Sequence, residues 1–184
     1  MREFLALLRG RFFIFSCNLT GKNVKIGRGL RMYKRMKISG EGSVVIGENC
    51  SVYGIRGDSS QYTCLETLSP AAVIQIGNNA ALYAARLAAR FKIVIGDKVL
   101  IEEAGIMDTD FHSIARDRQA PASETEDKCR VMVGNRVCLG ARSSVLKGTT
   151  IGDDVIVAPG SIVTISVKPG CTVAGNPAKY LTSA

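Results

Sequence analysis

The chain contains a single histidine, His112, and two aspartates precede it at alternate positions. In extended backbone Asp108, Asp110 and His112 would share one face, because successive side chains point to opposite sides. A neutral imidazole near pH 7 can accept and return a proton, and a neighbouring carboxylate can hold its tautomer and stabilise the imidazolium. The spacing predicts a general acid–base site, although an incidental loop histidine beside turn-forming aspartates fits it equally.

Aliphatic residues recur every six positions in the last third of the chain: Val133, Leu139, Val145, Ile151, Val157 and Val163. Small or β-branched residues stand four positions after each of them: Val137, Ser143, Thr149, Val155, Ser161 and Val167. A period of six does not fit a helix, but it fits a strand of about four residues plus a two-residue corner. Three such sides form one coil, so the repeat predicts a solenoid of parallel strands with the aliphatics inside.

Hexads that start with isoleucine and glycine, called here Ile-Gly phrases, occur earlier in the chain. They are out of frame with the six-residue repeat of the last third. They start at Ile26, Ile46, Ile76 and Ile95, each followed by glycine, and the spacing predicts further inward positions that include Met107. The frame breaks at 54–70 and again at 113–130, where the sequence is polar and carries no hexad. The second break follows His112 directly, and both are predicted to shape a substrate pocket.

These phrases, together with the ending Val173-Ala-Gly-Asn-Pro-Ala-Lys-Tyr180, resemble the hexapeptide-repeat acyltransferases. The resemblance is closest to the galactoside/maltose acetyltransferases and the polysaccharide O-acetyltransferases. It implies an all-β fold, a left-handed parallel β-helix assembled as a homotrimer, with a loop extruded near 113–130. We expect an N-terminal helical cap at 1–22 and an acetyltransferase domain at 23–182.

The resemblance also implies an activity, the transfer of an acetyl group from acetyl-CoA to a sugar or glycan-precursor hydroxyl. The family places its catalytic histidine at this junction, which makes His112 the expected base. Asp110 is its expected partner, although a backbone carbonyl could orient the imidazole equally well. No cysteine is needed as a nucleophile, so direct attack on the thioester is expected. An amino-sugar N-acetyltransferase and a non-catalytic β-helix scaffold remain as alternatives.

The resemblance further implies that CoA lies along the late coils. The residues that match the family's motifs there are Gly140, Ala141, Pro159, Thr164, Ile165 and Lys179. Lys179 is a candidate partner for a CoA phosphate, and Arg142 and Lys147 are further candidates. Ile165 departs from the pattern, because relatives often carry lysine after this threonine.

Composition and charge bear on the expected partners, metal content and location of the protein. The formal charge of +8 is accompanied by no arginine-rich run or aromatic RNA-binding signature, so nucleic acid is not expected as a partner. The six cysteines form no CxxC pair, which suits reduced thiols in a cytoplasmic protein. One histidine per chain cannot supply the three ligands of a β-helix zinc enzyme, so no metal is expected. The apolar N-terminus, interrupted by Arg9 and Arg11, is a candidate for peripheral membrane contact.

Overall fold

The computed structural model describes residues 1–19, 23–55, 60–111 and 124–181. An N-terminal helix, α1 (Arg2–Leu19), precedes a solenoid whose strands form three parallel sheets, called A, B and C. Sheet A contains, in spatial order, β1 (Val24–Ile26), β4 (Ser43–Ile46), β7 (Val73–Ile76), β10 (Lys92–Ile95), β13 (Val131–Val133) and β16 (Thr150–Ile151).

Sheets B and C complete each coil. Sheet B contains β2 (Arg31–Met32), β5 (Ser51–Tyr53), β8 (Ala81–Tyr83), β11 (Leu100–Glu102), β14 (Cys138–Leu139), β17 (Ile156–Val157), β19 (Thr172–Gly175) and β20 (Ala178–Tyr180). Sheet C contains β3 (Met36–Ser39), β6 (Thr63–Thr67), β9 (Arg86–Ala89), β12 (Gly105–Met107), β15 (Ser144–Val145) and β18 (Ile162–Val163). Consecutive triplets of strands, from β1–β3 to β16–β18, are coils 1 to 6, and the connections between sheets are the A–B, B–C and C–A corners.

Both hexad columns of the late coils face the interior, as the repeat predicts. The six aliphatic residues are at most 4% exposed, and so are the six small or β-branched residues four positions later. Each coil is too thin to bury these side chains alone, so stacking of neighbouring coils supplies the burial. The prediction of an aliphatic column inside a parallel solenoid is therefore confirmed.

The A–B corner repeats the same construction in coils 3 to 6. A glycine follows the last residue of the sheet A strand, and at Gly96 an added Cβ would lie 2.6 Å from the Gly134 carbonyl oxygen of the next coil. The third corner residue has a left-handed backbone, as at Lys98 with a φ of 57°. Asparagine or aspartate in the second corner position accepts a hydrogen bond from the coil before it, as when Asp97 N–H donates to Asn135 Oδ1 at 2.9 Å.

Two details of the predicted repeat are wrong. Ile106 occupies the core position in coil 4 and is 1% exposed, whereas Met107 is half-buried, because the B–C corner there is one residue shorter than in coil 5. The first predicted break also contains a regular strand, β6, whose Leu65 is fully buried. Residues 54–62 separate β5 from β6, so Leu65 is out of the six-residue frame that starts at Ile46.

The two ends of the solenoid are covered differently. At the N-terminal end α1 packs on coil 1 through Ala6, Gly10 and Cys17, and an added Cβ on Gly10 would collide with the Leu30 carbonyl. At the C-terminal end β19 turns back as an antiparallel hairpin with β20. A second helix, α2 (Glu126–Cys129), precedes coil 5 and buries Cys129, and nothing in the sequence pattern predicted it.

Candidate active site

The solenoid is interrupted at the C–A corner between coils 4 and 5. Asp108 follows β12 directly and is fully buried. Its carboxylate accepts three backbone hydrogen bonds, from the N–H groups of Arg90 (2.6 Å), Phe91 (2.8 Å) and Lys92 (2.6 Å). Burial raises the pKa of Asp108, and these three hydrogen bonds oppose the rise. Asp108 therefore fixes the C–A corner between coils 3 and 4, next to the interruption.

Glu124 joins the two ends of the interruption. Its side chain is only 6% exposed. Oε2 accepts a hydrogen bond from Thr109 Oγ1 at 2.8 Å, and Oε1 accepts one from Asp110 N–H at 2.9 Å. The segment that leaves coil 4 is thereby fastened to the segment that returns to coil 5.

Lys147 of coil 5 completes a charged network with these residues. Its Nζ donates to Asp110 Oδ2 and, at 3.0 Å, to Glu124 Oε1, while Arg90 lies 3.9 Å from Glu124 Oε2. Burial alone would raise the pKa of Glu124, but hydrogen bonds from Asp110, Thr109 and Lys147 outweigh it and leave the pKa lowered. Burial would lower the pKa of Lys147, yet its bonds to the two carboxylates leave that pKa raised. Glu124 and Lys147 are therefore charged at neutral pH.

The two aspartates before His112 do not act together. Asp108 binds the backbone of the C–A corner between coils 3 and 4, whereas Asp110 binds Lys147 of coil 5, so the extended segment with a shared face is not formed. Phe111 has a φ of 65°, which is unusual for a bulky residue, and its N–H donates to Thr109 Oγ1 at 3.0 Å. His112 lies outside the described residues, and its pairing with Asp110 stays a prediction.

Four of the residues predicted to bind CoA lie near the late B–C corner: Gly140, Ala141, Pro159 and Lys179. Gly160 N–H donates to the Ala141 carbonyl at 2.9 Å, which stacks the two corners that carry Ala141 and Pro159. Lys179 is exposed on β20, opposite Ala174, and the adjacent Gly175 N–H donates to Ser161 Oγ of the same corner at 3.1 Å.

Packing alone accounts for Gly140, because an added Cβ would lie 2.7 Å from Pro159 N and from Val157 O. Gly160 differs from it, since an added Cβ there would meet nothing within 4 Å. The open side of the late B–C corner is therefore at Gly160 rather than at Gly140.

Thr164 and Ile165 lie at the other side of sheet C, at the C–A corner. Ser144 and Val145 pair with Ile162 and Val163, and the continuing register sets Thr164 and Ile165 one coil beyond Leu146 and Lys147. Both residues are exposed, Ile165 to 46%. The charged network and this part of the predicted CoA site therefore share one corner of the solenoid.

Two of the cationic candidates have partners within the chain. Arg142 Nε donates to Glu103 Oε2 at 3.1 Å, and Lys147 belongs to the network described above. Glu124 was not predicted as an anchor, because no local pattern distinguishes it from the exposed Glu126. Its partners are 14 and 15 residues away across the interruption, so only the closed corner reveals its role.

Comparison with known families identifies the repeat. Residues 130–164 match the family model of the bacterial transferase hexapeptide, described as six repeats. Residues 130–164 of this chain are therefore hexapeptide repeats. The matched residues are the ones that form coils 5 and 6, where the six-residue spacing is uninterrupted.

A curated relative supports the same assignment over part of the chain. WbbJ of Escherichia coli strain K12, which carries the name of a lipopolysaccharide biosynthesis O-acetyl transferase, is 39% identical over 61 residues. The match covers 33% of this chain and 31% of WbbJ. The chain thus spans about a third of the length of this relative.

Solved structures extend the similarity to most of the fold. The polysialic acid O-acetyltransferase OatWY matches with a TM-score of 0.68 and 23% identity, over 86% of this chain and 72% of OatWY. A point mutant of AntD, a Bacillus cereus N-acyltransferase solved with dTDP and coenzyme A, matches with a TM-score of 0.68 and 17% identity, over 92% and 88% of the two chains. The fold is the left-handed parallel β-helix. Among the described residues, no helix has the length and apolarity needed to cross a bilayer.

Proposed function

We propose that this protein is an acetyl-CoA-dependent O-acetyltransferase that acts on a hydroxyl of a sugar or glycan precursor. The observation that carries the proposal is the anchored interruption of the solenoid. The chain leaves coil 4 immediately before its only histidine, and Glu124 and Lys147 hold both ends of the interruption beside the late coils. The names of WbbJ and OatWY, both O-acetyl transferases, favour a hydroxyl acceptor.

In the proposed reaction His112 takes the proton from the acceptor hydroxyl as its oxygen attacks the thioester carbonyl. The tetrahedral intermediate then collapses, the carbon–sulfur bond breaks, and the imidazolium returns a proton to the departing thiolate. The products are the acetyl ester and CoA. No acetyl-enzyme forms, and two of the six thiols, Cys50 and Cys129, are buried with raised pKa values, mainly because of desolvation.

Asp110 and its neighbours act in this proposal by positioning. The Asp110 backbone N–H is held by Glu124 and its carboxylate by Lys147, so the residue two positions before His112 is fixed to coil 5. We propose that this rigidity sets the position of the imidazole, whether Asp110 or a backbone carbonyl accepts its N–H.

CoA is proposed to lie along sheet C of the late coils, between its two corners. Ala141, Pro159 and the cationic Lys179 would hold it at the B–C corner, and Thr164 with Ile165 at the C–A corner. The proposed assembly is a homotrimer in which the interruption of one chain faces the late coils of its neighbour. All six cysteines are free, which suits the reducing conditions of the cytoplasm.

The test is thiol release from acetyl-CoA in the presence of sugars, nucleotide sugars and the matching amino sugars. We expect acceptor-dependent release, and a loss of about 100-fold to 10,000-fold in His112→Ala. Asp127→Asn is the matched control, because Asp127 is exposed on α2 and pairs only with Arg130 in the described chain.

Three outcomes would contradict parts of the proposal. Full activity in folded His112→Ala would exclude His112 as the base. Release with amino sugars alone would identify an N-acetyltransferase, as in the name of AntD. Absence of both release and CoA binding would leave a non-catalytic scaffold.

A further inference from the structure

Helix α1 is apolar on two opposite sides. One side packs on coil 1 through Ala6, Gly10 and Cys17, all buried. The opposite side carries large apolar residues that remain exposed: Phe4 (70%), Leu5 (43%), Leu8 (55%), Phe12 (72%), Phe15 (63%) and Leu19 (76%). At 3.6 residues per turn these six side chains fall within an arc of about 100°. They form one continuous strip along the helix, called here the outer stripe.

The charges of α1 are sorted between these two sides. Arg9 and Arg11 are exposed and flank the outer stripe, one on each border at the helical spacing. The one carboxylate of the helix, Glu3, instead bonds to Arg31 of coil 1, Nε to Oε1, at 3.0 Å. The outer stripe is therefore bordered by cations, and no carboxylate of α1 lies on it.

An open groove continues this apolar surface onto coil 1. It has a volume of about 910 Å³ and lies between α1 and the sheet B edge. Phe12, Phe13 and Tyr33 contribute apolar walls, and Arg9, Lys34 and Arg35 contribute cationic groups to the same lining. An apolar interior with several cations matches a molecule that joins an acyl chain to an anionic headgroup.

We propose that α1 docks this protein on an anionic lipid surface. The helix lies in the plane of the interface, with the outer stripe in the acyl–headgroup boundary and the arginines at lipid phosphates. A second copy of the helix fits the stripe less well. Like charges on both borders would face each other across a helix pair, whereas an anionic surface pairs with every one of them. The inference does not depend on the proposed acetyl transfer.

The experiment is vesicle flotation of the full chain, with phosphatidylcholine alone and with phosphatidylcholine plus phosphatidylglycerol. We expect binding to the anionic vesicles that weakens as salt is raised. The double variant Phe12→Ser/Phe15→Ser should bind at least about ten-fold more weakly, because two exposed rings are removed from the stripe. Ile156→Ser is the matched control, since Ile156 is an exposed apolar residue on β17 (50%), and it should bind like wild type.

Charge variants separate the electrostatic part of the binding. Arg9→Gln and Arg11→Gln should each weaken binding to the anionic vesicles by about five-fold, and Lys168→Gln, exposed near the opposite end of the solenoid, should leave it unchanged. Thiol release with a water-soluble acceptor should be the same in all these variants, which separates docking from catalysis.

Two results would overturn the inference. One is failure of the wild-type protein to float with anionic vesicles, or equal flotation of the double phenylalanine variant. The other is a change in native mass of that variant with its vesicle binding intact, which would assign the outer stripe to contact between copies.

Discussion

The A–B and C–A corners are both held to neighbouring coils by side-chain hydrogen bonds, but by different sets of residues. At the A–B corner a single neutral or acidic side chain bonds to the neighbouring coil, and the step repeats through Asn78, Asp97, Asn135 and Asp153. At the C–A corner beside coil 4, Asp108 alone accepts three backbone bonds, and Asp110, Glu124 and Lys147 form a network that no other coil repeats within the described residues.

The difference indicates what each corner is for. The hydrogen bond of the A–B corner lies at the solvent boundary and recurs from coil to coil. The loss of one such bond therefore leaves the equivalent bonds of the neighbouring coils in place. The network at the C–A corner uses residues far apart in sequence and largely removed from water, where charges are costly unless they are paired. Such a construction fixes one segment, the one that leads into His112, in one place.

The largest loss of stability is expected from removing the carboxylate of Asp108, which accepts three backbone hydrogen bonds. Asp108→Ala leaves three N–H groups without their acceptor next to a buried site, and should lower the free energy of unfolding by about 3–5 kcal/mol. Asn78→Ala removes one acceptor from an exposed bond of the A–B corner, and should cost about 0.5–1.5 kcal/mol. Urea unfolding of both variants measures the two losses, and equal values would show that the corners are equivalent.

A smaller effect is expected from closing the space between coils. Gly96→Ala would bring a Cβ against the backbone of the next A–B corner and should cost about 1–3 kcal/mol. Gly105→Ala is the matched control in the same coil, since its Cβ would make only ordinary contacts at 3.8 Å. A melting temperature that falls equally in both variants would indicate a general effect of side-chain addition rather than the glycine column.

The smallest effect concerns pH. Because the pKa of Glu124 is lowered in the folded protein, its stabilisation is complete above the ordinary glutamate pKa of about 4.3 and is lost as pH falls through the lower folded value. At pH 7 Glu124→Gln should lower the free energy of unfolding by on the order of 1 kcal/mol. This difference from wild type should shrink as the pH falls below the ordinary glutamate pKa. Unfolding measured from neutral to acidic pH tests this, and a difference that does not change with pH would exclude the ionised Glu124 as the anchor.

Most of the fold could be predicted from regular spacing. The six-residue period defined which residues of coils 5 and 6 face inward, because successive buried aliphatics there are always six residues apart. The prediction failed where the B–C corner is one residue shorter, at Ile106, and where residues 54–62 shift β6 out of the six-residue frame. Both failures are local changes in register, which a search with a fixed period cannot follow.

The candidate site was less predictable. His112 and Asp110 could be selected because a single histidine near aspartates is conspicuous, and Lys147 was noted only as a possible partner of a phosphate. Asp108 was expected to face the same way as Asp110, yet it turns to the backbone of the corner between coils 3 and 4. The free energy of satisfying three partly buried N–H groups outweighs the alternation of an extended strand.

The sequence by itself determined the solenoid, its buried columns and the place where the chain leaves it. These features depend on residues close together in the chain, since a six-residue repeat carries its own corner chemistry. Only the tertiary structure decided which charges pair across the interruption and which face of α1 remains exposed. Both depend on coils and segments that become neighbours after folding, because pairing and burial are properties of distances in space rather than of positions along the chain.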